Sequence, residues 1–282
     1  MSVLSSPELV AAVTRLIDEA LAEDIGAGDI TSAAVIPPSL RFSGAMAARE
    51  AMVVAGLPFA AEVFRRVVPE ATFTALVKDG DAVAAGAVLA ELAGPAAGLL
   101  TAERTALNLL QHLSGIATLT RRYVEAMAGT SAILLDTRKT IPGLRRLAKY
   151  ATLMGGARNH RMGLYDGILI KDNHIAVCGS VAEAVRRAKT AAAVVEVECD
   201  TLAQVGEAVA AGADTVLLDN MAPDLLRQAV AVVAGRARTE ASGGVSLDNI
   251  GAIAATGVDF VSVGRLTQSA PAVDIGLDWS AG

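Results

Sequence analysis

The sequence predicts a mixed α/β fold, with a parallel α/β barrel preceded by a small sandwich domain. Three observations predict it. Short strand-like segments follow one amphipathic helix in the N-terminal part, six short apolar runs after Gly129 each end in polar residues, and Ala-rich helical segments separate most of those runs. Strands alternating with helices imply βαβ units on a parallel sheet. Units of roughly 20 to 30 residues favour a barrel over a doubly wound sheet. Six strands fall short of a full eight-stranded barrel, so the barrel is expected to be incomplete or irregular.

Composition narrows the classes. The 282 residues carry 24 basic and 30 acidic side chains, a net charge of −6, which argues against a nucleic-acid binder or a polybasic membrane anchor. A hydrophobic content of 53% excludes a disordered chain. Cys178 and Cys199 are the two cysteines, too few for a disulfide framework or a multi-thiolate zinc site, and both are expected to be buried and inert. The start has no signal-peptide pattern, and no apolar run reaches the roughly 18 residues of a membrane helix. These features predict a cytoplasmic protein that binds neither nucleic acid nor membrane.

Residues 7–23 read as an amphipathic helix. Ser6 suits the cap, Pro7 suits the first turn, and Val10, Val13, Leu16, Ile17, Ala20 and Leu21 recur at helical spacing. Residues 23–31 then break into a glycine loop. Residues 42–48, 72–77 and 87–92 read as strands, with 78–81 as a turn. Residues 77–92 resemble the turn pattern of a lipoyl or biotinyl carrier domain. No lysine stands at the tip, so a structural sandwich is expected. A helix is predicted to start near Thr101 and to continue beyond Gly115. Arg104 would then lie near a helix N-terminus, where a cation is disfavoured. That points to another use for it, with a solvated surface arginine as the alternative. Strands are expected at 132–135, 167–170, 193–195, 215–218, 238–241 and 260–263, and helices at 181–190, 202–211, 223–234 and 247–256. The domains implied are 1–115 and 116–270, with 271–282 packing back on the first.

The polar residues that end the strands fall on the face where α/β barrels hold their active sites. Arg138, Lys139, Arg161 and Lys171 gather there against Asp136, Glu196, Glu198 and Asp219. A structural ion-pair network is one reading. The positions follow strand ends rather than helix faces, which favours a pocket for a multiply anionic small molecule. His160 alone reads as a core histidine, whereas beside Arg161 it fits anion recognition. Glu198 and Asp219 can hold Mg²⁺ near phosphate oxygens. Ser242-Gly243-Gly244 and Gly264 match the usual place of a barrel phosphate site. A Schiff-base role for Lys171 would leave the neighbouring cations, the acids and the glycine loops without a task.

With these residues in view, the sequence resembles the quinolinate phosphoribosyltransferase family. The resemblance runs through Leu21-Ala-Glu-Asp-Ile-Gly26, Gly28-Asp-Ile-Thr31, Glu103-Arg-Thr-Ala-Leu-Asn108 and Leu113-Ser-Gly-Ile-Ala-Thr118. It is strongest in Leu135-Asp-Thr-Arg-Lys-Thr-Ile-Pro-Gly143, Gly155-Gly-Ala-Arg-Asn-His-Arg161 and Leu169-Ile-Lys-Asp-Asn-His174. It closes with Val195-Glu-Val-Glu198, Leu218-Asp-Asn220 and Glu240-Ala-Ser-Gly-Gly244.

The resemblance implies an N-terminal α/β sandwich, an irregular open α/β barrel and a homodimer with shared active sites. Its reaction joins quinolinate to phosphoribosyl pyrophosphate, giving nicotinate mononucleotide, CO₂ and pyrophosphate. By resemblance Arg104 would reach across to the partner's site. Arg138, His160, Arg161 and Lys171 would surround the quinolinate carboxylates. Lys139, Lys171, Glu198, Asp219, Ser242, Gly243 and Gly264 would hold phosphoribosyl pyrophosphate and Mg²⁺. Lys139, Lys171, Glu198 and Asp219 would be catalytic, with Glu198 and Asp219 as metal ligands. Glu196 is expected on the opposite strand face from Glu198, outside the pocket. No dedicated base for decarboxylation is evident. The chain departs from the family at Gly264-Arg-Leu-Thr-Gln-Ser269, where the family commonly has Gly-Ala-Leu-Thr-His-Ser. A related group associated with molybdenum transport lacks the Asn-His-Arg and Lys-x-Asn-His forms kept here. A non-enzymatic anion-binding paralogue is the alternative outside enzymes.

Overall fold

The computed structural model describes residues 6–191 and 194–280, and the chain forms two compact units. Residues 1–5 and 281–282 lie outside the described residues. So does Ala193, from which the sequence reading starts its third strand. The first unit draws on 1–120, 143–156 and 269–282, and the second on 121–142 and 157–268. Residues 143–156 are thus part of the first unit, whereas the sequence reading placed them with the barrel.

The first unit opens with α1 (Pro7–Ile25), whose N-cap Ser6 accepts the Leu9 amide and which ends at Gly26 with φ of 53°. Asp29 caps α2 (Ile30–Val35) by accepting the Ser32 amide at 2.9 Å. Next come β1 (Arg41–Ala48), β2 (Met52–Val53), α3 (Leu57–Val67), β3 (Thr72–Ala75), β4 (Ala82–Val83) and β5 (Val88–Pro95). One sheet has the order β12-β1-β5-β3, with β12 (Ile275–Ser280) antiparallel to β1, and β2 pairs with β4. The segment after 271 therefore completes this sheet.

Helix α4 (Ala96–Ala126) begins directly after Pro95, earlier than the predicted start near Thr101. The Ala96 amide donates to Leu40 O, which fixes that start. Arg104 consequently sits on the third turn rather than near the N-terminus, and the dipole argument for its position falls. Leu99, Leu107, Leu110 and Leu113 of α4 are buried with Ile17, Met46, Phe64 and Leu89. Each such side chain stabilises the unit by about 1.5–3 kcal/mol.

Helix α5 (Arg145–Gly155) adds Leu147, Ala148, Tyr150 and Ala151 to the same core. Tyr150 donates its hydroxyl to Asp79 at 2.6 Å, and Asp79 also accepts the amides of Gly56 at 2.7 Å and Leu57 at 3.0 Å. A residue that reads as part of a turn thus anchors both α3 and α5. Its interactions explain why 143–156 leaves the barrel.

The second unit contains β6 (Ile133–Leu135), β7 (Ile168–Ile170), α6 (Asp172–Cys178), α7 (Val181–Ala191), β8 (Val195–Cys199), α8 (Leu202–Ala210), β9 (Thr215–Asp219), α9 (Pro223–Val233), β10 (Arg238–Ser242), α10 (Ile250–Ala254), β11 (Phe260–Ser262) and α11 (Arg265–Gln268). Among the described residues its sheet has six strands in the order β6-β11-β10-β9-β8-β7, all pairs parallel. β6 and β7 close no ladder with each other. Arg158 instead makes a single parallel bridge to Leu135. This is the irregular, open α/β barrel that the sequence predicts. Among the described residues no helix is long and apolar enough to cross a membrane.

Asp79→Ala leaves three donors without their acceptor and should destabilise the protein by about 3 kcal/mol or more, while Tyr150→Phe should cost about 1 kcal/mol. Urea denaturation midpoints measure both. Equal effects would show that Asp79 does not anchor the α3 start.

Candidate active site

Loops that leave the C-terminal ends of the second unit's strands converge on a cavity of about 590 Å³. The first loop follows β6. Asp136 is fully buried, and its carboxylate accepts Asn159 Nδ2 at 2.6 Å and the His160 amide at 2.9 Å. This ties loop 136–140 to loop 159–161. Asp136 is therefore an internal brace rather than one of the acids facing a ligand.

Arg138 and Lys139 follow. Thr137 Oγ1 accepts the Lys139 amide at 3.0 Å, and Thr267 Oγ1 donates to Lys139 O at 2.7 Å. A Cβ at Gly264 would stand 2.7 Å from Lys139 Cδ, so glycine there admits the lysine side chain. Arg161 Nη1 donates to Gly167 O at 3.0 Å. Burial, and then the nearby charge of Arg138, lowers the pKa of Arg161. Guanidinium stays charged in proteins. The arrangement therefore concentrates positive charge that an anion would relieve.

Lys171 immediately follows β7, and its Nζ is ion-paired with Glu198. Glu198 on β8 pairs in register with Leu217 on β9, and Asp219 lies two residues further along β9. Residues two apart share a strand face, so Leu217 and Asp219 point the same way. Asn220 donates its side-chain amide to Asp219 and its backbone amide to Ser242 O at 2.8 Å. Asn220 has φ of 54° and Gly243 has φ of 87°. A Cβ at Gly243 would lie 2.2 Å from Asn220 Oδ1 and 2.9 Å from Asn220 N. The loops after β9 and β10 interlock at that point.

One layer deeper, His160 Nε2 lies 3.0 Å from Glu196 Oε2 and 3.5 Å from Glu240 Oε2. His160 Nδ1 accepts the Arg161 amide at 2.8 Å. Burial opposes charge on His160, whereas the hydrogen bonds and charges of Glu196 and Glu240 favour it. The bond at Nδ1 conflicts with a second proton, because a proton there would meet the Arg161 N–H head-on. The geometry decides for the neutral ring with its proton on Nε2. Burial pushes the Glu196 carboxyl up.

Among the described residues, the cavity brings together Arg138, Lys139, His160, Arg161, Lys171, Glu198, Asp219, Ser242 and Gly243. Gly264 lies against the Lys139 side chain, and Arg104 is exposed on α4 in the first unit. Glu196 corrects the sequence reading. It shares the inward face of β8 with Glu198, because side chains alternate with a period of two, and Val195, Val197 and Cys199 occupy the other face, fully buried. Asn220 and Glu240 also line the cavity and were not singled out as site residues. The same alternation rule, applied to Glu240 and Ser242, was the available signal for Glu240. Cys199 is buried, with burial the largest cause pushing its thiol up to about 12. Cys178 is only partly buried, against expectation.

Residues 29–114 match the N-terminal domain family of quinolinate phosphoribosyl transferase, and residues 116–278 match its C-terminal domain family. The chain belongs to the quinolinate phosphoribosyltransferase family. This family member is 45% identical over 267 residues to the probable nicotinate-nucleotide pyrophosphorylase [carboxylating] of Bacillus subtilis, covering 94% of this chain and 92% of the relative. It is 46% identical over 270 residues to the nicotinate-nucleotide pyrophosphorylase [carboxylating] of Mycobacterium leprae, covering 93% and 95%. The solved nicotinate-nucleotide pyrophosphorylase of Francisella tularensis superposes with a TM-score of 0.91 at 43% identity, covering 96% of both chains. In this chain Arg265 and Gln268, which depart from the family pattern, are exposed at the two ends of α11, while Thr267 between them is buried and holds Lys139.

Gly243→Ala forces Asn220 aside and strains a left-handed backbone. It should cost about 1–3 kcal/mol of stability. Urea denaturation tests this, and an unchanged midpoint would contradict the interlock.

Proposed function

We propose that this protein transfers the phosphoribosyl group of phosphoribosyl pyrophosphate to quinolinate with decarboxylation, yielding nicotinate mononucleotide, CO₂ and pyrophosphate in de novo NAD biosynthesis. The observation that carries this reading is the single cavity in which Arg138, Lys139, Arg161 and Lys171 face Glu198, Asp219 and the Ser242-Gly243 turn.

Two guanidiniums suit two carboxylates, since each fork accepts a carboxylate bidentately. Arg138 and Arg161 thereby align the pyridine nitrogen toward ribose C1. The nitrogen lone pair forms the N–C1 bond as the C1–O bond breaks, and that electron pair leaves with pyrophosphate. Lys139 and Lys171 stabilise the departing charge, and the amides of the positive-φ turn at Gly243 and Gly244 suit phosphate oxygens. In the second step the ring nitrogen is quaternary. The bond from C2 to its carboxylate breaks, CO₂ departs, the electron pair stays at C2, and a proton from water completes the product.

Glu198 and Asp219 come from neighbouring strands and line the same cavity. Two carboxylates with phosphate oxygens and water fit Mg²⁺, a hard ion that commonly takes one or two protein carboxylates. Bound there, Mg²⁺ would supply further charge neutralisation of the pyrophosphate. The His160, Glu196 and Glu240 group also offers ligand atoms within 4.8 Å of one another. Its imidazole suits that ion less. The protein acts as a cytoplasmic homodimer in which Arg104 of one protomer completes the site of the other. Support for this comes from the family resemblance and from the exposed position of Arg104 on α4.

Purified protein with Mg²⁺ should consume quinolinate and phosphoribosyl pyrophosphate and release CO₂. No turnover by the folded protein would reject the assignment, and efficient use of nicotinate would reject the dicarboxylate pocket. Arg161→Ala should lower kcat/KM for quinolinate by about 10²–10³-fold. Arg104→Ala and Lys139→Ala proteins should each be nearly inactive, and their heterodimers should regain activity. Inactive heterodimers would count against a shared site.

A further inference from the structure

We propose that Glu196 and Glu240 are positioning residues that aim Arg161 at the substrate through the His160 imidazole, which acts as a strut rather than as a substrate ligand. The inference rests on the function proposed above, because it assigns the arginine's target to a carboxylate of quinolinate.

The barrel interior is usually filled by branched apolar side chains. Here one interior layer holds two carboxylates and an imidazole instead. The Glu240 side chain is 2% exposed, Glu196 is 11% exposed and His160 is 13% exposed. Glu196 Oε1 and Glu240 Oε1 are buried without a hydrogen-bond partner. Such a cluster costs stability unless it is paired, and a hydrophobic replacement of similar volume is often at least as stable. Its presence here therefore calls for a task that packing does not supply.

The hydrogen bonds indicate the task. Both nitrogens of His160 are engaged inside the protein, Nε2 with the two carboxylates and Nδ1 with the Arg161 amide. The backbone amide of His160 is held by Asp136. The ring thus links the barrel interior to the main chain of Arg161. Beyond that link, Nη1 bonds Gly167 O, and a Cβ at Gly167 would press to 3.3 Å from Arg161 Cβ. A guanidinium fixed at its backbone and at one nitrogen can present the rest of its fork in one orientation. Neither carboxylate need touch substrate for this to work.

The test is a double-mutant cycle on the full chain, with Glu240→Gln, Arg161→Ala and the double variant. Quinolinate binding is read by calorimetry, and kcat and both KM values by turnover. Glu240→Gln should weaken quinolinate binding by about 10- to 100-fold, the scale of a small misplacement, while KM for phosphoribosyl pyrophosphate stays unchanged. In the Arg161→Ala background the same change should add nothing. Effects that multiply in the double variant would overturn the proposal. The ¹⁵N shifts of His160 in the wild-type protein give a second readout, with Nδ1 expected unprotonated and Nε2 protonated. A protonated Nδ1 would overturn it as well. If Glu240→Gln does not fold, Glu196→Gln enters the same cycle. Failure of the wild-type protein to bind quinolinate would reject the proposed function, and the ¹⁵N shifts would still judge the strut.

Discussion

Repulsion among like charges held at one rim is the constraint on which the second unit depends. Arg161 already bears the cost of burial and of Arg138 beside it. Two unit charges 4 Å apart interact by about 4 kcal/mol at an effective dielectric of 20, whereas an exposed ion pair is worth about 0–1 kcal/mol. Cations gathered in a partly buried cavity thus gain far more from an anion than the same side chains spread over a surface. That gain is available only if the fold holds them together in its absence.

Holding them is the work of groups that carry no charge toward the cavity. Asp136 ties two loops together from a fully buried position. Thr267 fastens the Lys139 carbonyl, and Gly264 clears space for the lysine stem. Asn220 and Gly243 interlock the loops after β9 and β10 through backbone conformations that side chains rarely adopt. Preorganisation of this kind lets the cations stabilise developing charge without rearranging at the moment of reaction.

Much of this was legible in the sequence. Four of the six parallel strands were marked by apolar runs ending in polar residues, because a strand's C-terminal end opens on the polar face of a barrel. By contrast, β8 begins where the run predicted at 193–195 ends and alternates with glutamates, and β10 carries Arg238 and Glu240. The cations of the cavity were visible for the same reason. What escaped depended on long-range contacts. Tyr150 belongs with Asp79, 71 positions earlier, so no local pattern could assign 143–156 to the first unit. The start of α4 was set by Leu40, far outside its own periodicity. Glu196 escaped for a different reason. Residues two apart on β8 share one face, so Glu196 lies beneath Glu198 rather than opposite it.

The pairing of β12 with β1 has a consequence for biosynthesis. β1 spans Arg41–Ala48, and its partner strand is Ile275–Ser280. A ribosome therefore releases one edge of the first sheet long before its neighbour exists. Vectorial synthesis usually lets an early domain finish first. In this chain the later-encoded barrel is threaded between segments of the earlier unit, so the unit begun first is the one completed last. Until then the free side of β1 offers unsatisfied amides and carbonyls to any other nascent strand nearby.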